Sequence, residues 1–176
     1  MRLLVDGTLL RRFPPLPAAW SRVGAQAAVA VTGQNAKRVL FGSRNVHTGP
    51  RVVLCRKSAG GADARTFLSE LRRRSRKAPT IWLLLDRAPA HTDGKTLRRA
   101  AELSIALVWL PKPWSELNAM DQLWKELKRL IAANRQAVRI EALAEDAADW
   151  VRTLSRQEAL RKAGLLSPNF WLKNLL

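Results

Sequence analysis

The chain holds one cysteine in 176 residues, Cys55. A single thiol excludes an intramolecular disulfide and fits a reducing compartment. Its place on the alternating run RVVLC reads as a small core residue rather than a nucleophile. Long apolar runs are also missing: none comes near the length needed to cross a bilayer. Hydrophobic residues nevertheless make up 47% of the chain, which excludes a disordered basic tail. The opening MRLLVDGTLLRRF puts Asp6 and an arginine pair where a signal peptide needs apolar continuity. No secretion signal is read there, and a cytoplasmic location is expected, nucleoid-associated if the source is bacterial. Acids are the third shortage. Aspartate and glutamate total 14 against 31 lysines and arginines, a formal charge of +17 and a pI near 11.6. That surplus implies a polyanionic partner, nucleic acid first and an anionic membrane surface second.

What is present is enough for one domain with one well-buried core. RLLVD (2–6), AQAAVAVT (25–32), KRVLFGSRNV (37–46) and RVVLC (51–55) read as strands, closely spaced and therefore antiparallel. ADARTFLSELRRR is helical, with Phe67, Leu68 and Leu71 on one face. TIWLLLD (80–86) and IALVWL (105–110) are continuous apolar runs, as expected of strands buried on both faces. Between them, 93–103 is helical. A long helix is expected from about Ala119 to Asn134, with Leu117, Met120, Trp124, Leu127 and Ile131 as its inward stripe, and two shorter helices over roughly 140–163. Strands that alternate with helices form right-handed parallel crossovers. The expected fold class is therefore α/β, a mixed sheet with helices. Trp82, Trp109 and Trp124 are expected in the core, while Trp20 and Trp114, in loops, are candidates for DNA contact.

Three acids stand out in this basic chain. Asp86 ends the apolar strand in LLLDRAPAH, beyond the carboxyl end of a parallel strand, where ligands of such sheets gather. A lone carboxylate there needs a cation, donors or water. The plain alternative is a cap of the Arg87-Ala88 turn. Asp6 has the same character, with an Asp-Gly turn as its plain reading. Asp121 is the third helical position after the N-cap candidate Asn118, and it could instead complete a cap or pair with Lys125. Together the three could converge on divalent metal, since Mg²⁺ takes oxygen ligands and a few carboxylates. Two such ions roughly 3.5–4 Å apart activate water and stabilise a leaving 3′ oxygen. His91 could orient a site carboxylate or cap the loop after the strand.

The three acidic stretches resemble motif blocks of the DDE-superfamily transposase catalytic domain, in the mariner-like branch that includes many bacterial insertion-sequence transposases. LLLDRAPAH resembles the second-aspartate block. LPKPWSELNAMDQLWKELK resembles the third block, which is very specific, and VDGTLLRRFPPLPAAWSRVG the first. From Asp86 to Asp121 there are 34 intervening residues, the mariner-type spacing. The tail EALRKAGLLSPNFWL is similar to insertion-sequence members. The resemblance implies a ribonuclease-H-like fold with helices on both faces and extra C-terminal helices. It also implies Asp6, Asp86 and Asp121 as catalytic and metal-binding residues, Mg²⁺ or Mn²⁺ in a two-metal site, and DNA cleavage followed by strand transfer. The chain departs from the pattern at Gly7, Arg87 and Ala119. It starts five residues before Asp6, so the helix-turn-helix domain that family members carry upstream is expected to be absent. One catalytic domain is expected, with a core over 1–163 and a tail over 164–176. Its expected partners are DNA, a separate helix-turn-helix half of a split transposase, and a second copy of the chain. The alternative is a catalytically silent DNA-binding remnant. Candidate DNA contacts are Arg72, Arg73, Arg74, Arg76 and Lys77 in the densest basic run, with Trp114, Lys125 and Lys128.

Overall fold

The computed structural model describes residues 1–13, 20–25, 28, 33, 35–45, 51–111, 117–133, 136–168 and 170. The strand expected over 25–32 falls largely on other residues, as do the Pro14–Pro17 loop and Trp114. The described elements are β1 (Arg2–Arg11), β2 (Lys37–Asn45), β3 (Arg51–Arg56), α1 (Gly61–Arg74), β4 (Ile81–Leu85), a single turn α2 (Pro89–Thr92), α3 (Gly94–Glu102), β5 (Ile105–Trp109), α4 (Ala119–Leu127), α5 (Ile140–Thr153) and α6 (Arg156–Lys162). A π-helical turn, Lys128–Ala132, continues α4.

The five strands form one sheet in the order β3-β2-β1-β4-β5. β1, β2 and β3 pair antiparallel, while β4 and β5 run parallel to β1. Alternation along β1 splits the apolar residues between two cores. Leu4 and Leu10, with Leu40 and Val53, meet Met120, Leu123, Trp124 and Leu127 of α4 and Ala144, Ala147 and Val151 of α5. Leu3 and Val5, with Phe41 and Val52, meet Phe67, Leu68 and Leu71 of α1. Helices therefore cover both faces. Of the stripe read from the sequence, Met120, Trp124 and Leu127 of α4 and Ile131 of the π-helical turn are buried, while Leu117 precedes the helix and is only partly buried.

Three expectations need correction. β1 does not stop at Asp6; it runs on to Arg11, because Gly7 to Arg11 pair with Phe41 to Lys37 instead of turning. Trp82 is 49% exposed and Val108 is also exposed. The α4 and α5 layer packs on β1, β2 and β3 and makes few contacts with β4 and β5, so these two strands are not buried on both faces. Cys55 is exposed, on the edge strand β3, rather than a core residue.

Candidate active site

Asp6 lies in mid-strand on β1, two residues from Leu4 and so on the face that α4 covers. Its register partner on β2 is Gly42. A Cβ at position 42 would lie 2.5 Å from Cζ2 of Trp124 and 2.8 Å from Cε of Met120. Only a residue without a side chain lets α4 settle this closely beside Asp6.

Asn118 fixes the start of that helix. Its Oδ1 accepts the Met120 N–H at 3.1 Å, the N-cap bond, and its Nδ2 donates to the Val5 carbonyl at 2.7 Å. The side chain is buried, 3% exposed. One amide thus begins α4 and pins it to the residue before Asp6. Asp121 follows in the first turn, half-buried, with Oδ2 2.9 Å from Nζ of Lys125.

Asp86 follows the last residue of β4 and ends the apolar run, and donors for its carboxylate are at hand. Its Oδ1 accepts the Ala88 N–H at 3.2 Å and lies 2.9 Å from Nδ1 of buried His91. His91 and the Ala88 amide hold the Asp86 carboxyl below the usual range, against the effect of partial burial. Asp6 goes the other way. Burial pushes its carboxyl up to about 7, and the charges of Asp86 and Asp121 push in the same direction, while the Gly7 amide and His91 oppose. Asp6 therefore lies within the fields of both Asp86 and Asp121.

A cavity of about 390 Å³ is lined by Asp6, Asp86 and His91 and also by Lys37, Lys57 and Ser58. Asp121 is not in its lining. Both plain readings are present too: Asp86 caps the turn at Ala88, and Asp121 pairs with Lys125. Among the described residues no group of three His, Cys, Asp or Glu is gathered tightly enough to hold a metal ion as the chain stands. In donor chemistry the trio fits a hard divalent cation, because it offers only oxygen and because a cation would offset the burial, and after it the neighbouring charges, that raise Asp6.

The basic run behaves less uniformly than its composition implied. Arg72 donates to the carbonyls of Arg76 and Ala78, so it ties down the loop after α1. Arg73 and Arg74 share Glu70. Arg76 and Lys77 are exposed and have no side-chain partner among the described residues. Lys128 closes α4 at its C-cap, partly buried. Arg87 lies over the ring of Trp109, 5.9 Å from its centroid, and pairs with no site acid. Trp20 is fully exposed. Lys37 and Lys57 were not foreseen, since an isolated lysine carries no sequence pattern; only the sheet brings them to Asp6.

Solved structures of the Mos1 transposase share this fold. Its paired-end complex with the left transposon end superposes with a TM-score of 0.73 at 16% identity, covering 96% of this chain and 53% of that one. The Mos1 catalytic domain with raltegravir and Mg gives 0.67 at 15% identity, covering 98% and 80%. The sheet is thus ribonuclease-H-like. An uncharacterized 39 kDa protein of insertion element IS630 from Shigella sonnei is 27% identical over 145 residues, 81% of this chain and 42% of that protein. The chain spans less than half the length of this relative. The family model of the DDE superfamily endonucleases matches residues 3–144, a span that takes in Asp6, Asp86, Asp121 and the elements that carry them, and the chain belongs to that family.

Proposed function

We propose that this domain cuts DNA phosphodiesters with divalent metal and joins the freed 3′ end to a target, as the catalytic part of an insertion-sequence transposase. One observation carries the reading: Asp6 and Asp86 line a single cavity, and Asp6 also feels the charge of Asp121, on elements that the family match includes. Asp6, Asp86 and Asp121 would hold Mg²⁺ or Mn²⁺. When bound, a pair of such ions activates water and stabilises the leaving 3′ oxygen. The chain's own groups do the remaining work. Lys37 and Lys57 attract the phosphodiester to the cavity. His91 fixes the rotamer of Asp86, and Asn118 fixes the approach of α4 and with it Asp121. The domain would work on DNA in the cytoplasm, as a dimer and beside a separately supplied helix-turn-helix half, with Lys125 turning from Asp121 to a DNA phosphate.

The Lys125 pair and the ungathered acids favour a second reading, a DNA-binding remnant without activity. One variant separates the two. Supercoiled-plasmid nicking in Mn²⁺ should be abolished in Asp121→Asn with the melting temperature nearly unchanged, because the amide keeps the size and loses the charge. Equal nicking by wild type and variant would refute the role of Asp121. No nicking by either, even with the separate DNA-binding half supplied, would favour the remnant.

A further inference from the structure

The largest concavity described lies away from the carboxylates. It measures about 960 Å³ and is lined by Leu3, Ser43 and Val52 of the sheet and by Arg73, Arg74, Arg76 and Lys77. Its position follows from the topology. Residues 75–80 lead into the first residue of β4, whereas Asp86 follows the last, so the basic loop and Asp86 stand at opposite ends of that strand. Five residues of strand separate them by roughly 16 Å. The faces differ as well. Ser43 is the register partner of Val5 and shares the α1 face, while Asp6 is paired with Gly42 beneath α4. A strand held at the carboxylates would have to pass around the sheet to reach this groove.

We propose that the groove holds the backbone of a second DNA segment, distinct from the strand that faces the carboxylates. Arg76 and Lys77 supply the charge, because Arg72 is spent on backbone carbonyls and Arg73 and Arg74 are shared with Glu70. The shape selects the ligand. The space exceeds what one phosphate fills, and its apolar lining residues are buried, as Leu3 and Val52 are, or half-buried, as Met1 and Ala78 are, which suits a rod of phosphates and not a lipid surface. Each copy of the domain then holds two DNA segments. The inference takes its ligand class from the proposed function but not its chemistry, so binding is measured without metal.

The full chain would be titrated with a short labelled duplex in EDTA across a salt series, as wild type and as the Arg76→Ala, Lys77→Ala double variant. Losing two phosphate contacts should make the slope of log affinity against log salt shallower by roughly 2 and weaken binding about tenfold at moderate salt. Capture of a second duplex by bead-bound duplex should fall in parallel, while the Arg76→Lys, Lys77→Arg pair restores both. Where wild type nicks plasmid in Mn²⁺, the double variant at saturating protein should nick at the same rate. An unchanged salt slope would overturn the proposal. So would a double variant that binds less but loses nicking at saturation, since the groove would then hold the cleaved strand. A variant impaired for anionic vesicles and not for duplex would assign the surface to lipid and equally overturn it. If wild type does not nick, the salt slope and duplex capture alone decide.

Discussion

Lys37 and Lys57 are separated by 19 intervening residues, yet the hairpin of β2 and β3 returns the chain so that both line the cavity of Asp6 and Asp86. Each is exposed, so neither stabilises the fold much. On the proposed function their effect would be to attract substrate. The Lys37→Ala, Lys57→Ala double variant should raise KM for DNA about 3- to 10-fold and leave kcat within about twofold, the signature of binding shared by ground and transition states. Initial rates of nicking against DNA concentration would check this, and a fall in kcat at fixed KM would contradict it. These lysines were invisible in the sequence because nothing local marks them. The acids were visible for the opposite reason: a carboxylate terminating an apolar run violates local preference, and such violations collect at functional sites.

The docking of α4 is the element on which the site turns. Gly42 and Asn118 hold it from two directions, one by leaving room and one by a buried bond to Val5. Gly42→Ala would drive a methyl group into the Trp124 ring, whose shift must move the helix. Overpacking of this kind costs about 1–3 kcal/mol. Thermal melting should show that loss, and nicking should fall further than stability accounts for, because Asp121 moves away from Asp6. A variant that melts lower and cuts at the wild-type rate would separate packing from geometry. Much of this element could be read beforehand. The α4 stripe follows from spacing alone, and Asn118 was a plain N-cap candidate. Its second bond, to Val5, spans 113 residues of sequence and has no local signal. β1 was cut short at Asp6 for a similar reason: Asp-Gly is a strong turn signal, and only the tertiary pairing of Gly7 to Arg11 with β2 overrides it. The exposure of Trp82 was missed because apolarity shows that a strand prefers burial, not which of its faces finds a helix.

At the scale of the whole molecule, one of the few acids joins two helices. Glu126 of α4 binds Arg129 at 3.0 Å and Lys162 of α6, also at 3.0 Å. Hydrogen bonds from Arg129 first, then Lys162, hold its carboxyl down at about 2 against an ordinary 4.5. A depressed acid stabilises the fold above its unfolded value, and that contribution is lost as pH falls from about 4.5 to about 2. Screening at this partly exposed site limits it to about 1 kcal/mol. Wild type should therefore melt above Glu126→Gln at pH 6, and the gap should close as pH approaches 2. A gap independent of pH would mean that the glutamine perturbs packing rather than charge. With 31 cations and 14 anions, losing any such acid also worsens self-repulsion, so the difference should shrink in high salt.

The bond from Asn118 to Val5 also sets an order in time. β1 precedes β4 in the chain, so the first carboxylate is made before the second. Both wait until the ribosome has added the cap and helix that carry the third. A chain interrupted before Asn118 holds two of the three acids but has nothing to pin beside them, and Leu4, Leu40 and Val53 still lack their α4 and α5 cover. Closing a loop of this length is among the slower steps of folding. On the proposed function, a chain interrupted before α4 would therefore lack the means to cut.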